Sequence, residues 1–306
     1  MPDPLPVTVP RQTLGYIRAR LAEYGVAPKN KLGQNFLIDL NLLDVLLEAA
    51  AVTPDDLVLE VGCGTGSLTA RMADLAGAVV GVEIDPDLFR MVSGLLGDRP
   101  NVRLLHFDVL RTKNEMRPEV FAELDRAAGD FRTTRLKLIA NLPYAVATPV
   151  IANLLLSDHI PERIVATVQW EIGERMTARP GEPQFGALAV LVQSLGEVEI
   201  VRKLAPSVFW PRPQVDSAIV RVITDPARRA AIGDVRGFRA FLRDLYVHKR
   251  KSLRMALVGW PGGRRDKDQI DALLAGLGLP GSARAEDLSV EDHLRLCRAV
   301  AAWSGT

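Results

Sequence analysis

The residues best suited to chemistry begin with Gly62-Cys63-Gly64-Thr65-Gly66, directly after the apolar run Leu57–Val61. Three glycines at that spacing permit a tight turn and a close approach of backbone to a ligand. The next apolar run, Ala78–Ile84, carries Glu83 near its end, and a third, Val102–Phe107, is followed by Asp108. A carboxylate at Glu83 can accept two hydrogen bonds from a ribose diol, and Asp108 is placed to meet an adenine amino group. The spacing is G-x-G-x-G rather than the G-x-G-x-x-G of dinucleotide binders. The first helix therefore need not face a pyrophosphate. A nucleoside without phosphates fits this pattern, and S-adenosylmethionine is the obvious candidate. The plain alternative is a glycine turn beside two solvated strand ends.

A fourth apolar run, Leu136–Ala140, ends in Asn141-Leu142-Pro143-Tyr144. Pro143 disfavours helix at Leu142 and pushes it toward extended geometry, so the Leu142 carbonyl can face a crevice. Asn141 offers a second acceptor, its amide oxygen, and Tyr144 offers a flat face. These parts suit methylation of an adenine N6, whose lone pair is delocalised into the ring. Two acceptors on its two N–H bonds would hold the nitrogen toward a tetrahedral shape and stabilise the positive charge that develops there. This is the oxyanion-hole principle with the sign reversed, and losing one such group should raise the barrier by about 3 kcal/mol. Stacking on the aromatic face adds roughly 1–3 kcal/mol of binding. The plain alternative is a proline turn with a half-buried tyrosine.

The elements that must position these residues alternate. Between the runs above, and before a fifth at Arg163–Gln169, most intervals are of helical length. Buried strands alternating with helices predict a parallel sheet covered on both faces. In such sheets the ligand crevice lies beyond the carboxyl ends of the strands. Glu197–Arg202 and Ser217–Ile223 follow as a hairpin-like edge. Residues 14–25 read as a short helix, Asp39 as the cap of the next one, and residues 1–12, with four prolines, as a flexible arm. Beyond Thr224-Asp225-Pro226 the chain reads as helices parted by turns such as Trp260-Pro261-Gly262-Gly263. A boundary is expected there, giving domains 1–225 and 226–306.

With 306 residues, 48% apolar and 25% charged, the chain has the composition of a globular protein. Thirty-eight basic residues against 37 acidic ones leave a net charge of +1, so any nucleic-acid surface must be local. Cys63 and Cys297 are too few for a disulfide framework, and the four histidines have no metal-ligand spacing, so no metal is expected. No apolar run reaches the roughly 18 residues of a membrane helix, and the first residues lack a signal-peptide core. A cytoplasmic monomer is expected.

Between Arg236 and Arg254 stand seven basic residues and one acid, with Phe238, Phe241, Leu242, Leu245 and Leu253 spaced for one helical face. This reads as an amphipathic helix with a basic outer face, either an RNA surface or simply a solvated one. Arg18, Arg20, Lys29 and Lys31 form a second basic patch. The loop Arg179–Gly186 suits either a lid or an inert turn.

The chain resembles the small-subunit ribosomal RNA adenine dimethyltransferases of the KsgA type. The resemblance rests on Leu32-Gly33-Gln34-Asn35-Phe36-Leu37, Glu60–Gly66, Glu83-Ile84-Asp85, Asn141–Tyr144, Gln169–Met176, Phe209–Ser217 and His248–Arg254. It implies an α/β fold: a Rossmann-like, mostly parallel methyltransferase sheet with an antiparallel edge strand and a smaller C-terminal helical, RNA-binding domain. It implies S-adenosylmethionine contacts from Asn35, Leu37, Gly62, Glu83, Asp108 and Asn141. It implies base handling by Asn141, Leu142 and Tyr144, with Phe209 as a second stacking face. The implied substrate is a pair of adjacent adenosines in a hairpin loop near the 3′ end of small-subunit rRNA, each methylated twice on N6. The chain departs from the family at Ala145-Val146-Ala147, where a polar residue and Ser or Thr are common, and at Trp170, where Lys is common. The 108–141 connection is longer than usual and reads as a surface excursion. Rival readings are a large-subunit methyltransferase of the macrolide-resistance type, which tends to carry Asn-Ile-Pro-Tyr, a non-catalytic assembly factor, and a nicotinamide oxidoreductase.

Overall fold

In the computed structural model, residues 13–261 and 266–303 are described. The proline-bearing arm and Gly262-Gly263 lie outside them. Helix α1 (Leu14–Glu23), strand β1 (Phe36–Leu37) and helix α2 (Leu40–Ala50) come first. The Asp39 carboxylate caps α2 by accepting from the Asn41 N–H, as its position promised. Strict alternation follows: β2 (Asp56–Val61), α3 (Ser67–Leu75), β3 (Ala78–Glu83), α4 (Pro86–Leu96) and β4 (Val102–His106). A small antiparallel pair, β5 (Leu110–Thr112) and β6 (Glu115–Met116), precedes α5 (Pro118–Phe131). Then come β7 (Arg135–Asn141), α6 (Tyr144–Leu156) and β8 (Arg163–Gln169).

A seven-stranded sheet has the order β4-β3-β2-β7-β8, continued by β11 (Ser217–Thr224) and then β9 (Gly196–Leu204). The pairs β4/β3, β3/β2, β2/β7 and β7/β8 are parallel. All five strands therefore end on the same edge. That edge collects the glycine turn after Val61, Glu83, the segment after His106, and Asn141. Every residue of β2 and β3 is buried, which suits strands covered on both faces. The core joins Leu43 and Leu46 of α2, Met72 of α3, Val58 of β2 and Ile139 of β7. Each fully buried side chain of this size contributes roughly 1.5–3 kcal/mol.

The 108–141 connection is not a surface excursion. Helix α5 packs on β2, β3 and β4 through its buried Val120, Leu124 and Ala127. Its many charges mark only the outer face of an ordinary crossover helix.

Packing divides the chain into two compact units, and not by one cut at residue 225. The first holds 1–170 and 200–221; the second holds 171–199 and 222–306. The second unit includes α7 (Trp170–Thr177) from Glu171 onward, α8 (Ala187–Leu195), and the later helices α9 (Pro226–Ile232), α10 (Val235–Val247), α11 (Leu253–Val258), α12 (Lys267–Gly276) and α13 (Val290–Trp303). The reason is α8, whose apolar side chains are mostly buried and which packs on α9, α10 and α13. Helices from Pro226 onward complete its burial, so no composition shift near 171 marks the division.

The basic stretch from Arg236 to Arg254 is not one helix. Helix α10 stops at Val247, and α11 begins at Leu253 after its N-cap Ser252. Phe238, Phe241, Leu242 and Leu245 do share the buried face. Lys249, Arg250 and Lys251 stand exposed in the intervening turn, while Arg254 is paired with Asp271 (Nε–Oδ1 2.7 Å). The Arg179–Gly186 loop is tied down rather than poised as a lid. Phe185 is buried against His293, and the Gly181 N–H donates to the Glu286 carbonyl at 2.9 Å.

Candidate active site

A cavity opens at the shared strand edge of the first unit. Its walls include Gly62 and Gly64 of the glycine turn, Glu83, Asp108, and Asn141 through Tyr144. The segment from Lys31 to Phe36 closes another side.

Gly62 and Gly64 hold φ of +82° and +55°, a region that disfavours any side chain. A Cβ on Gly62 would also lie 3.2 Å from Pro143 Cδ. The glycine turn and the Asn-Leu-Pro-Tyr turn thus touch directly. The Gly64 N–H donates to Glu83 Oε2 at 2.9 Å, and the Asp85 N–H donates to Glu83 Oε1 at 2.9 Å. Each carboxylate oxygen retains a lone pair beyond the one engaged. Burial pushes the Glu83 carboxyl above its usual range, opposed by these backbone N–H groups. Glu83 is therefore an oriented, partly desolvated acceptor, the form that a sugar diol would use. Asp108 is exposed at the rim, where its Oδ1 accepts from the Leu110 N–H at 2.9 Å.

Asn141 is the last residue of β7. Its Nδ2 donates to the Asn35 backbone carbonyl at 2.8 Å. With the amide nitrogen so engaged, Oδ1 is the atom left to accept. The Asn35 amide in turn donates to the Gly33 carbonyl at 3.1 Å. Leu142 is buried and lines the cavity beside it. Tyr144 starts α6, with its hydroxyl 2.6 Å from Ser217 Oγ.

Two residues implied by the resemblance stand elsewhere. Phe209 is 2% exposed and belongs to the main core, as does Leu37. They face each other across the pairing of β1 with β10 (Phe209–Trp210), Leu37 opposite Phe209 and Phe36 opposite Trp210. Alternation along a strand sends neighbours to opposite faces. So Phe36, not Leu37, lines the cavity, and its ring stacks with Trp210 at 6.3 Å. A second stacking face at Phe209 is not what this structure presents.

Sequence reasoning passed over Ser217 and the backbone role of Asn35. Both act through contacts between residues 73 and 106 positions apart, respectively, and no local pattern carries such a signal. Of the second basic patch, Arg20 pairs with Glu23, Lys29 with Asp85 and Asp87, and Arg18 lies over the Trp210 ring at 5.2 Å. Lys31 lines the cavity.

The residues present fit S-adenosylmethionine. The turn has a positive-φ backbone that favours glycine, the oriented Glu83 carboxylate could accept from a sugar diol, and the acids Glu83 and Asp108 suit a cationic ligand. No group of acids, histidines and cysteines among the described residues is arranged to hold a metal ion. No described helix is long and apolar enough to cross a membrane.

Comparison with known proteins agrees with this geometry. Residues 26–301 match the family described as ribosomal RNA adenine dimethylase. A ribosomal RNA small subunit methyltransferase A from Moorella thermoacetica is 35% identical over 302 residues, covering 96% of this chain and 98% of the relative. Its namesake from Rubrobacter xylanophilus is 40% identical over 273 residues, covering 89% and 95%. Among solved structures, a dimethyladenosine transferase from Plasmodium falciparum superposes with a TM-score of 0.69 at 25% identity, covering 84% of this chain and 94% of that one. The 23S rRNA methyltransferase ErmE gives 0.62 at 26%, covering 87% and 100%. A match spanning nearly the whole sequence, on a cavity built from the motifs that define the likeness, means that the chain belongs to the ribosomal RNA adenine dimethylase family.

Proposed function

We propose that the chain dimethylates N6 of adenosines in small-subunit ribosomal RNA, using S-adenosylmethionine, and that its targets are two adjacent adenosines in the 3′-terminal hairpin loop. The observation that carries this reading is the 2.8 Å bond from Asn141 Nδ2 to the Asn35 carbonyl. It leaves Oδ1 as the acceptor atom of the Asn141 side chain, a residue that lines the cavity. Gly62, Gly64, Glu83 and Asp108 would hold the cofactor, which supplies an electrophilic methyl group on a sulfonium. Asn141 Oδ1 and the Leu142 carbonyl would accept the two N6–H bonds and draw the nitrogen out of conjugation. The same two dipoles then face the positive charge that grows on nitrogen, without reorganising. Tyr144 would stack on the base once it is swung out of its strand. No general base of shifted pKa is needed, because the proton lost from the cationic amine is acidic enough to leave to water.

The exposed Lys249, Arg250 and Lys251 turn supports a phosphate contact, since each neutralised phosphate releases counterions. We place the enzyme in the cytoplasm, acting as a monomer on the small subunit. The test is incubation with labelled S-adenosylmethionine and a mixture of undermethylated small and large subunits, followed by mapping of the labelled nucleotide. Labelled N6,N6-dimethyladenosine near the 3′ end supports the reading. A label only in large-subunit rRNA supports the rival, and no adenosine label overturns it. Asn141→Ala should slow transfer about 10²–10³-fold while leaving cofactor affinity near that of the parent.

A further inference from the structure

Asp85 is 0% exposed, yet it touches neither of the groups assigned to the base. Its carboxylate gathers three donors. Oδ1 accepts from Lys29 Nζ at 2.8 Å and from the Asp87 N–H at 3.0 Å; Oδ2 accepts from Gln34 Nε2 at 2.8 Å. The other end of the Gln34 amide, Oε1, accepts from the Lys29 N–H at 2.7 Å. Gln34 is therefore held at both ends. The next residue, Asn35, presents the carbonyl that receives Asn141 Nδ2.

The segment that carries Gln34 and Asn35 lies between a 3-10 turn ending at Leu32 and the start of β1 at Phe36. Gly33 within it has φ +65°. No helix or sheet ladder fixes residues 33–35, so side-chain bonds must do so. A side-chain amide has two orientations that differ only in which atom, N or O, faces the cavity. The orientation with oxygen inward requires an acceptor on the far side, at the place where the Asn35 carbonyl stands. We propose that Asp85, acting through Gln34, is a positioning residue for methyl transfer: it holds the Asn35 carbonyl in register and so aims Asn141 Oδ1 at the target amine. The inference rests on the reading of Asn141 given above. Lys29 and Gln34 also keep Asp85 ionised: burial pushes its carboxyl up, but their hydrogen bonds outweigh this and hold it below its usual range. The Asp85 backbone N–H meanwhile bonds Glu83, so one buried residue braces both the cofactor carboxylate and the amide that faces the base.

The experiment compares the full-length parent with Gln34→Ala, Asp85→Asn and Lys29→Met. Single-turnover transfer to undermethylated small subunits is measured at saturating cofactor, with cofactor Kd by calorimetry and Tm alongside. Gln34→Ala should lower the single-turnover rate about tenfold and change cofactor Kd less than threefold. Asp85→Asn has one amide oxygen where two are used, Oδ2 by Gln34 Nε2 and Oδ1 by Lys29 Nζ and the Asp87 N–H, so its NH2 must face a donor. It should lower the rate several-fold, and a parent-like rate here also overturns the inference. A parent-like rate for Gln34→Ala, or a loss confined to cofactor Kd, overturns the inference. Should Gln34→Ala not fold, Lys29→Met tests the same brace from its exposed side, with a several-fold rate loss expected and a parent-like rate overturning. A parent that methylates no RNA adenine would instead remove the functional reading beneath it.

Discussion

The Tyr144 hydroxyl sits 2.6 Å from Ser217 Oγ, joining the first residue of α6 to the first residue of β11. Burial pushes the tyrosine pKa up, and the serine partly opposes this, so the phenol stays neutral at physiological pH. The bond fixes the ring plane against which a base would stack. Ser217→Ala should raise KM for RNA several-fold and leave cofactor Kd unchanged. Tyr144→Phe keeps the ring and should behave alike, whereas Tyr144→Ala removes the stacking platform. Its loss should be about 5- to 150-fold, equivalent to 1–3 kcal/mol. Equal kinetics for the Phe and Ala variants would refute a stacking role.

Glu83 separates cofactor binding from base handling. Its two oxygens each accept a backbone N–H, from Gly64 and from Asp85. Glu83→Gln replaces one of these oxygens with an NH2 that faces a backbone N–H, and charge-assisted bonds of this kind are worth about 1.5–3 kcal/mol. Cofactor Kd, read by calorimetry, should rise at least tenfold. RNA affinity without cofactor should hold.

Glu60 gives the first unit a pH signature. It is buried beneath the glycine turn, where Thr69 Oγ1 donates to it at 2.5 Å. Burial pushes its carboxyl up to about 8 from an ordinary 4.5, with the nearby Glu83 adding to the rise. The folded protein therefore keeps this proton up to about pH 8, while the unfolded chain releases it near 4.5. Stability from this group is complete below pH 4.5 and drains away as pH rises toward 8. Urea midpoints from pH 5.5 to 8.5 should fall in the parent. In Glu60→Gln, which stays neutral, they should fall much less.

His293 gives the second unit the opposite slope. The imidazole is fully buried, its Nδ1–H donating to the Ser289 carbonyl at 2.8 Å and its Nε2 lying 3.2 Å from the Tyr246 hydroxyl. Burial pulls its pKa down to about 4. The unfolded chain binds this proton from about pH 6.5 downward and the folded chain only near pH 4. Stability therefore declines as pH falls through that window, by roughly 3 kcal/mol for a shift of this size. His293→Gln should flatten the limb between pH 6.5 and 5, whatever it does to the midpoint at neutrality. An unchanged acid limb would assign it to other groups.

The strand-by-strand order of Gly62, Glu83, Asp108 and Asn141 was legible in the sequence. Alternating apolar runs dictate a parallel sheet, and a parallel sheet brings its carboxyl ends to one edge. The cap at Asp39, the turn glycines and the buried face of α10 were legible for the same reason: each is set by neighbours within a few residues. Tertiary structure alone decided the rest. It put Phe36 rather than Leu37 at the cavity, because the β1–β10 register chooses which face points inward. It buried Phe209, gave α8 to the second unit, and turned the Asn141 amide by a carbonyl 106 residues away. Local pattern states which groups are present, but the direction of an amide or a ring depends on partners that only long-range packing supplies.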